Sequence, residues 1–256
     1  IFSKDGNYLF VTENNLVSQI GVIGVYDVNN SYVRVGEFSS YGIGPHEISL
    51  IPKTNIIVVA NGGIITHPDL PEIKLNTDTM EPSLAYIDYK NGKLIDQYTP
   101  QVSRYKKLSI RHLIIPSSKD VIYACQDQTP YQGKVPLVSM YSKGTKKLKH
   151  FRLPEKIHTA IGGYCGSITA DISGMIVAVS APRGNYILFW KISSQEFLGY
   201  LTIADGCGIS SGIRPGEFAV TNSGGYFSTY NAIEKASLNR KTQPEVKWDN
   251  HLTAVH

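Results

Sequence analysis

Cysteine is scarce in this chain: Cys125, Cys165 and Cys207 are its only three, they lie far apart, and no CxxC pair occurs. This excludes a disulfide-stapled mini-scaffold, allows at most one disulfide bond and leaves the redox compartment unread. A CxxCH string is missing, so covalent haem carriage is excluded too. No apolar stretch approaches the roughly 18 residues needed to cross a bilayer as a helix, so no membrane span is expected. No run of Lys or Arg exceeds two residues, and a net charge of +4 over 256 residues is dilute, which argues against a nucleic-acid partner. GxSxG nucleophile elbows and phosphate-binding glycine loops are absent as well. No secretion signal heads the chain. It starts at Ile1 and runs at once into the strand pattern Phe2–Thr12, which reads as a piece whose natural N-terminus lay upstream.

What is present is an ordinary globular composition, 42% hydrophobic and 18% charged, with 16 Tyr and 23 Gly. That balance excludes disorder and leans toward an all-β fold with many turns. Hydrophobic runs are about 4–8 residues long, and no helical period connects them.

The strongest signal is recurrence. One unit is a short apolar strand, a turn rich in Asp, Gly, Pro, Ser or Asn, a second apolar strand with a polar tip, and then a third and a fourth strand. The first full copy runs His46–Ile51, turn Pro52–Asn55, Ile56–Ala60 with Asn61-Gly-Gly63 at the tip, Ser83–Asp88 and Lys93–Tyr98. A second has Arg111–Ile115, Val121–Cys125, Leu137–Tyr141 and Leu148–Phe151, and a third Gly166–Asp171, Met175–Ser180, Tyr186–Trp190 and Phe197–Leu201. A fourth opens near Cys207 and includes Glu217–Thr221; residues 2–38 supply the later strands of an earlier copy, and His251–Val255 begins another. A four-stranded unit cannot cover both of its faces alone, so neighbours must stack. The sequence therefore predicts a single β-propeller domain over 1–256, built of four-stranded blades. Seven blades are expected in the intact parent, with an N-terminal part missing here.

In propellers the first strand of each blade lines the central channel, so equivalent positions in successive blades form a ring. Aligning the copies places His46 and Glu47 over Arg111 and His112, and over Gly166 and Ser167, with Asn250 and His251 further round. Asn61 and Arg183 stand at blade tips on the same face. Convergent polar groups in a concavity make the usual candidate for a binding site. The competing reading is a channel of ordered water and blade-to-blade hydrogen bonds. His46, Glu47, His112 and His251 are also possible donors to a divalent first-row metal. An insertion at about 64–82 separates two strands that a hairpin could join, and is expected to act as a lid over the channel mouth, carrying His67, Asp69 and Lys74.

Several strings resemble one bacterial family, that of domain of unknown function 1513. They include Gly42-Ile-Gly-Pro-His-Glu-Ile48, Val58–Ile64, Thr66–Asp69, Lys74–Asn76, Met80–Leu84, Leu108–Leu113, Gly166–Ile168, Pro182–Gly184 and Trp248–Leu252. The resemblance covers nearly the whole chain. It implies an exported, periplasmic protein, often found near imelysin-like and di-haem proteins linked to iron uptake, with no activity established. The chain departs from the family pattern at Lys53-Thr-Asn55, where Asp-Gly is usual, and at Glu72-Ile73, where Gly-Arg is usual; the second change removes a cation from the lid. Gly44-Pro-His-Glu47 and Glu13-Asn14 are also similar, without being identical, to strings of propeller lactonases of the 6-phosphogluconolactonase type.

Three functions follow as expectations. The first is a periplasmic binding or interaction propeller for a small molecule or metal, acting in iron or other metal handling. The second is a lactonase-like hydrolase, with His112 or His46 as general base, Glu47 orienting it and Arg111 stabilising an oxyanion. The third is a protein-docking scaffold with a purely structural channel, for imelysin-like or di-haem partners. The residues leave open whether the chain is an enzyme.

Overall fold

The computed structural model of the chain describes residues 1–67, 69, 73–117, 120–129 and 134–253, with Ser117 described by its backbone alone. The middle of the expected lid (68 and 70–72), the turn at 118–119 and the end of the strand expected at 251–255 lie outside the described residues.

The described chain is all-β apart from one short helix and two 3-10 turns, and its strands form five antiparallel sheets in chain order. The first has three strands, β1 (Tyr8–Asn15), β2 (Ile20–Asp27) and β3 (Val33–Ser39). The second has four: β4 (Pro45–Leu50), β5 (Ile56–Asn61), β6 (Ser83–Asp88) and β7 (Lys93–Tyr98). The third comprises β8 (Leu108–Ser117), β9 (Asp120–Asp127), β10 (Val138–Ser142) and β11 (Lys147–His150). Helix α1 (Glu155–Ala160) follows. The fourth sheet is β12 (Ser167–Ala170), β13 (Ile176–Ala181), β14 (Tyr186–Lys191) and β15 (Phe197–Thr202). The fifth is β16 (Gly206–Ser211), β17 (Glu217–Asn222), β18 (Tyr226–Asn231) and β19 (Ala236–Thr242). Each is a simple meander, with every strand pairing its sequence neighbour. The strands read from the recurrence match these within a few residues.

Burial explains why the middle strands read as unbroken apolar runs. β5, β6, β13 and β14 are buried along nearly their whole length, on both faces, whereas the fourth strands β7, β15 and β19 have no buried residue and are exposed or half-buried throughout. A strand covered on both faces has no polar side to alternate with. The repeat extends to an irregularity: the last two strands of four sheets slip register at matching places, at Val25/Tyr26, Tyr86/Ile87, Phe189/Trp190 and Thr229/Tyr230. A bulge there bends the outer strand and increases its twist.

Short-range chemistry sets the hairpins. Between β6 and β7 the Asp88 carboxylate accepts the Lys90 amide, and Gly92, at φ +67°, donates its amide to the Asp88 carbonyl and closes the turn. Glycine adopts that left-handed conformation without steric cost.

The chain divides into two compact units, Ile1–Lys119 with Asp127–Pro130, and Asp120–Gln126 with Tyr131–His256. In the first unit Phe10, Ile23, Ile48, Ile57, Val59, Ala85 and Ile87 form one core. Phe10 packs edge-on against Phe38 and lies 5.1 Å from the Tyr89 ring. In the second, Phe189 stacks on Tyr230 at 5.2 Å and meets Phe218, within a core that includes Ile176, Ile187, Ile209 and Val220.

The second unit also has a polar anchor. Asp171 is 4% exposed and accepts hydrogen bonds from the Ser173 hydroxyl and the amides of Met175 and Ile176, which fasten the β12–β13 turn. It also accepts the amide of Gly216, which precedes β17, so one carboxylate ties the fourth sheet to the fifth. Burial alone would raise its pKa, but these four donors outweigh burial and hold it below the ordinary carboxylate range.

Two expectations differ from what is found. Residues 251–253 form no strand; a strand exists only as half of a ladder, and none of the five sheets includes them. Helix α1 and the 3-10 turn Ser103–Lys107 occupy links between sheets that carry no helical period long enough to read. Among the described residues no helix is long and apolar enough to cross a membrane.

An Asp171→Asn substitution sets an amide NH₂ against backbone and hydroxyl donors and is expected to cost about 3 kcal/mol in chemical denaturation. Because the folded-state pKa is depressed, the wild-type advantage is full above the ordinary carboxylate range and disappears as pH falls through the lower folded value. A constant difference between the two proteins across that range contradicts the assignment.

Candidate functional site

The first strand of the second sheet carries an extra residue. Pro45 pairs with Asn61 and Glu47 pairs with Ala60, so two steps along β4 are matched by one along β5, and His46 is the surplus. This is a β-bulge, which interrupts the alternation of faces and re-aims side chains. Consecutive side chains of a regular strand point apart, yet here His46 and Glu47 both reach the same imidazole.

That imidazole is His112 on β8. Its Nδ1 lies 3.1 Å from Glu47 Oε2, and the same oxygen accepts the Leu113 backbone amide at 3.1 Å. The His46 ring meets the His112 ring edge-on, centroids 4.6 Å apart. The three residues differ sharply in access. The His112 side chain is 4% exposed and that of Glu47 37%, and His46 is exposed. A buried imidazole therefore backs a half-open carboxylate, with a second imidazole at the rim. Paired in this way, Glu47 fixes the orientation of His112 and satisfies a polar group that burial would otherwise penalise.

Around this trio the backbone is closely fitted. The Gly62 and Gly63 amides donate to the carbonyls of Gly44 and Ile43, which pins the β5 tip to the approach into β4. Asn61 is fully buried, and its Nδ2 donates to the Ser40 carbonyl and to Ser83 Oγ. It thus ties the first sheet to the second, while its Oδ1 is buried with no hydrogen-bond partner among the described residues. Ser109 Oγ on β8 is likewise buried and unpartnered, and a side chain at Gly62 would run into it at 2.7 Å. Arg111 is half-buried beside His112 on β8.

The insertion is anchored at its base. Asn76 accepts the Ile65 amide at 2.7 Å and donates to the Gly63 carbonyl at 2.9 Å, and Met80 is 2% exposed. Leu75, in the same insertion, is exposed. Lys74 donates to Gln128 and Lys107 to the Thr77 carbonyl, so the outer part is held by polar contacts to the same unit. His67 Nδ1 accepts the Asp69 amide at 3.2 Å, a bond within the insertion itself. Between this base (Ile64, Thr66, His67) and the β1–β2 turn (Asn14, Asn15, Gln19) lies a cavity of about 30 Å³, room for one ordered water rather than an organic ligand. A wider, open depression of about 530 Å³ lies elsewhere in the first unit, among Tyr8, Val35, Glu37, Tyr89 and Lys90.

Glu13, part of the lactonase-like string, is used within its own sheet: it accepts from the Tyr26 hydroxyl and from Arg34. Burial pushes its carboxyl up, but these two donors bring it below its ordinary value.

The other sequence candidates lie in the second unit. Ser167 is buried opposite Ser180 in β12 and β13. Arg183 lies in the 3-10 turn Pro182–Gly184, 4.9 Å above the Tyr164 ring. Asn250 is half-buried and His251 exposed. β16 carries its own register shift between Gly206 and Ile209, where Cys207 directs its thiol at the Asp249 carbonyl, 3.3 Å away. Among the described residues no group of three or more His, Cys, Asp or Glu is arranged to hold a metal ion.

Two polar features escaped the sequence reading. One is the His46 bulge, visible only in the pairing. The other is Asp127, whose side chain is 1% exposed and takes a bidentate contact from Arg104 at 3.1 and 2.6 Å. Nothing local to either residue signals that pair, which spans 23 positions.

The sequence profile described as "Protein of unknown function (DUF1513)" matches residues 1–255. No curated protein matches the chain.

Glu47→Ala leaves His112 Nδ1 and the Leu113 amide without their acceptor, and a loss of roughly 1–2 kcal/mol in chemical denaturation is expected. His46→Ala, at a surplus and exposed position, is expected to change stability by less than about 0.5 kcal/mol. Equal losses in the two variants would show that the bulge does not separate these roles.

Proposed function

The chain belongs to the DUF1513 family, and we propose that it is a ligand-binding β-propeller, exported to the periplasm, that uses its inner-strand polar cluster to hold a small polar molecule. The five sheets are its blades. The double burial of their middle strands and the repeated bulge in their outer strands support this arrangement.

The observation that carries the binding reading is the division of access within the trio. His46 is exposed, Glu47 is half-open and His112 behind them is closed. A half-open carboxylate held in place by an imidazole and a backbone amide is a preorganised acceptor for hydrogen-bond donors, hydroxyl or ammonium groups above all. The hydrolase reading draws on the same Glu47–His112 pair, since a carboxylate that orients an imidazole is what a general base needs. It requires a substrate to reach His112, whose side chain is 4% exposed, so binding is favoured over catalysis. A divalent metal is a second class of occupant. His46 and Glu47 offer suitable donors, and further ligands would have to join them. Imelysin-like and di-haem proteins are the partners to test by co-purification.

Titration of ¹⁵N-histidine-labelled protein with zinc, copper and ferrous ions, and with polyhydroxylated and amine-bearing small molecules, is expected to move the imidazole signals of His46 and His112. Glu47→Gln keeps the shape and removes the charge, and should weaken such binding by about 10- to 100-fold, the equivalent of losing one charge-assisted hydrogen bond. Binding of equal strength in wild type and Glu47→Gln would move the ligand site elsewhere, and the absence of calorimetric heat with all three ions at micromolar protein would eliminate the metal.

A further inference from the structure

Two of the three cysteines flank a β-bridge in the second unit. Gln126, at the end of β9, forms an isolated antiparallel bridge with Tyr164 in the segment after α1. The bridge is isolated, and continuing its antiparallel register by one step would set Cys125 opposite Cys165. Directly opposed residues in such a pair have Cα atoms about 4.5–5.5 Å apart, inside the range of about 4.4–6.8 Å that a disulfide spans. The Cys165 thiol lies close enough to the Cys125 backbone amide for that amide to lower its pKa, while the amide itself donates to the Leu137 carbonyl at 2.8 Å. Both residues are buried, at 1% and 0% exposure. Cys207 is occupied elsewhere, with its thiol against the Thr221, Trp248 and Asp249 carbonyls.

We propose that Cys125 and Cys165 are a redox couple, which a disulfide oxidant closes into an intramolecular bond that clamps the segment after α1 to β9, with Cys207 left as a free thiol. The reaction is two successive thiol–disulfide exchanges. The thiolate of one cysteine attacks a sulfur of the oxidant, forms a mixed disulfide and expels one thiolate. The thiolate of the other cysteine then attacks the protein sulfur of that mixed disulfide, forms the Cys125–Cys165 bond and expels the second. The protein loses two electrons and two protons, and the oxidant leaves as two thiols.

Burial controls when this happens. It pushes the Cys165 thiol up to about 12, so the closed fold holds almost no thiolate at neutral pH, and thiolate is the reactive form. Exchange therefore begins either before the second unit has closed or after the segment opens. Gly162 and Gly163, at φ +62° and +67°, form the link between α1 and Tyr164 about which it can swing. Once formed, the bond closes a loop of about 40 residues, long enough for a substantial loss of unfolded-state entropy.

The test is to unfold the full chain and refold it in oxidised and reduced glutathione, in parallel with a sample kept in phosphine reductant. The oxidised protein is expected to be about 2 Da lighter, to show one titratable thiol in denaturant instead of three, and to yield a Cys125–Cys165 cross-linked peptide on digestion. Its melting temperature is expected to fall by about 10 °C on reduction. Cys207→Ser should keep the mass change and the cross-link, while Cys165→Ser should lose both. Three titratable thiols after oxidative refolding, or a cross-link that includes Cys207, would overturn the proposal. The wild-type mass and thiol count decide the matter even where a variant does not fold.

Discussion

Most of this molecule follows from one constraint: its middle strands are apolar on both faces, and a meander of four strands cannot cover them by itself. β5, β6, β13 and β14 carry almost no exposed side chain, so each sheet needs others stacked against it. Within the first unit this brings Ile48 and Ile57 onto Phe10 and Ile23, and within the second it brings Phe189 onto Phe218 and Tyr230. Stacking also brings the first strands of successive sheets side by side. Glu47 on β4 can reach His112 on β8 only because the apolar layers behind them have been pressed together. The polar cluster is a consequence of hydrophobic burial.

The same constraint shapes the polar groups between sheets. A carboxylate or amide trapped between two layers must find donors or acceptors at once. Asp171 does so with the Gly216 amide across the gap, and Asn61 with the Ser40 carbonyl. Each joins separate sheets by direct hydrogen bonds. They add direction to a packing force that has none, and so fix how one sheet sits on the next. The two unpartnered atoms at Asn61 and Ser109 stand where this matching stops.

Much of the scaffold was legible in the sequence, because strands and turns are local. Pro52–Asn55 and Tyr89–Gly92 mark chain reversals by their own chemistry, and the apolar runs between them have strand length. The pairing of Glu47 with His112 was reachable by laying one repeat over another, since equivalent strands become neighbours. The bulge at His46 was not, for an extra residue in one strand appears only when its partner is counted against it. Arg104 and Asp127 were missed for a similar reason, one lying in a short turn and the other at the tail of a strand. The strand expected at 251–255 shows the opposite error. Its apolar pattern is sound, but a pattern cannot supply the neighbour that would make it a strand.

The surplus residue in β4 has one more implication. Since Pro45 and Glu47 already sit opposite adjacent positions of β5, the ladder has no need of what lies between them. Position 46 lies outside the strand ladder and its ring packs edge-on against His112, so a change of side chain there alters the surroundings of the Glu47–His112 pair and not the sheet. The frame holds the carboxylate fixed and leaves one adjustable slot beside it, a place where selectivity for one bound molecule over another can change while the architecture stays the same.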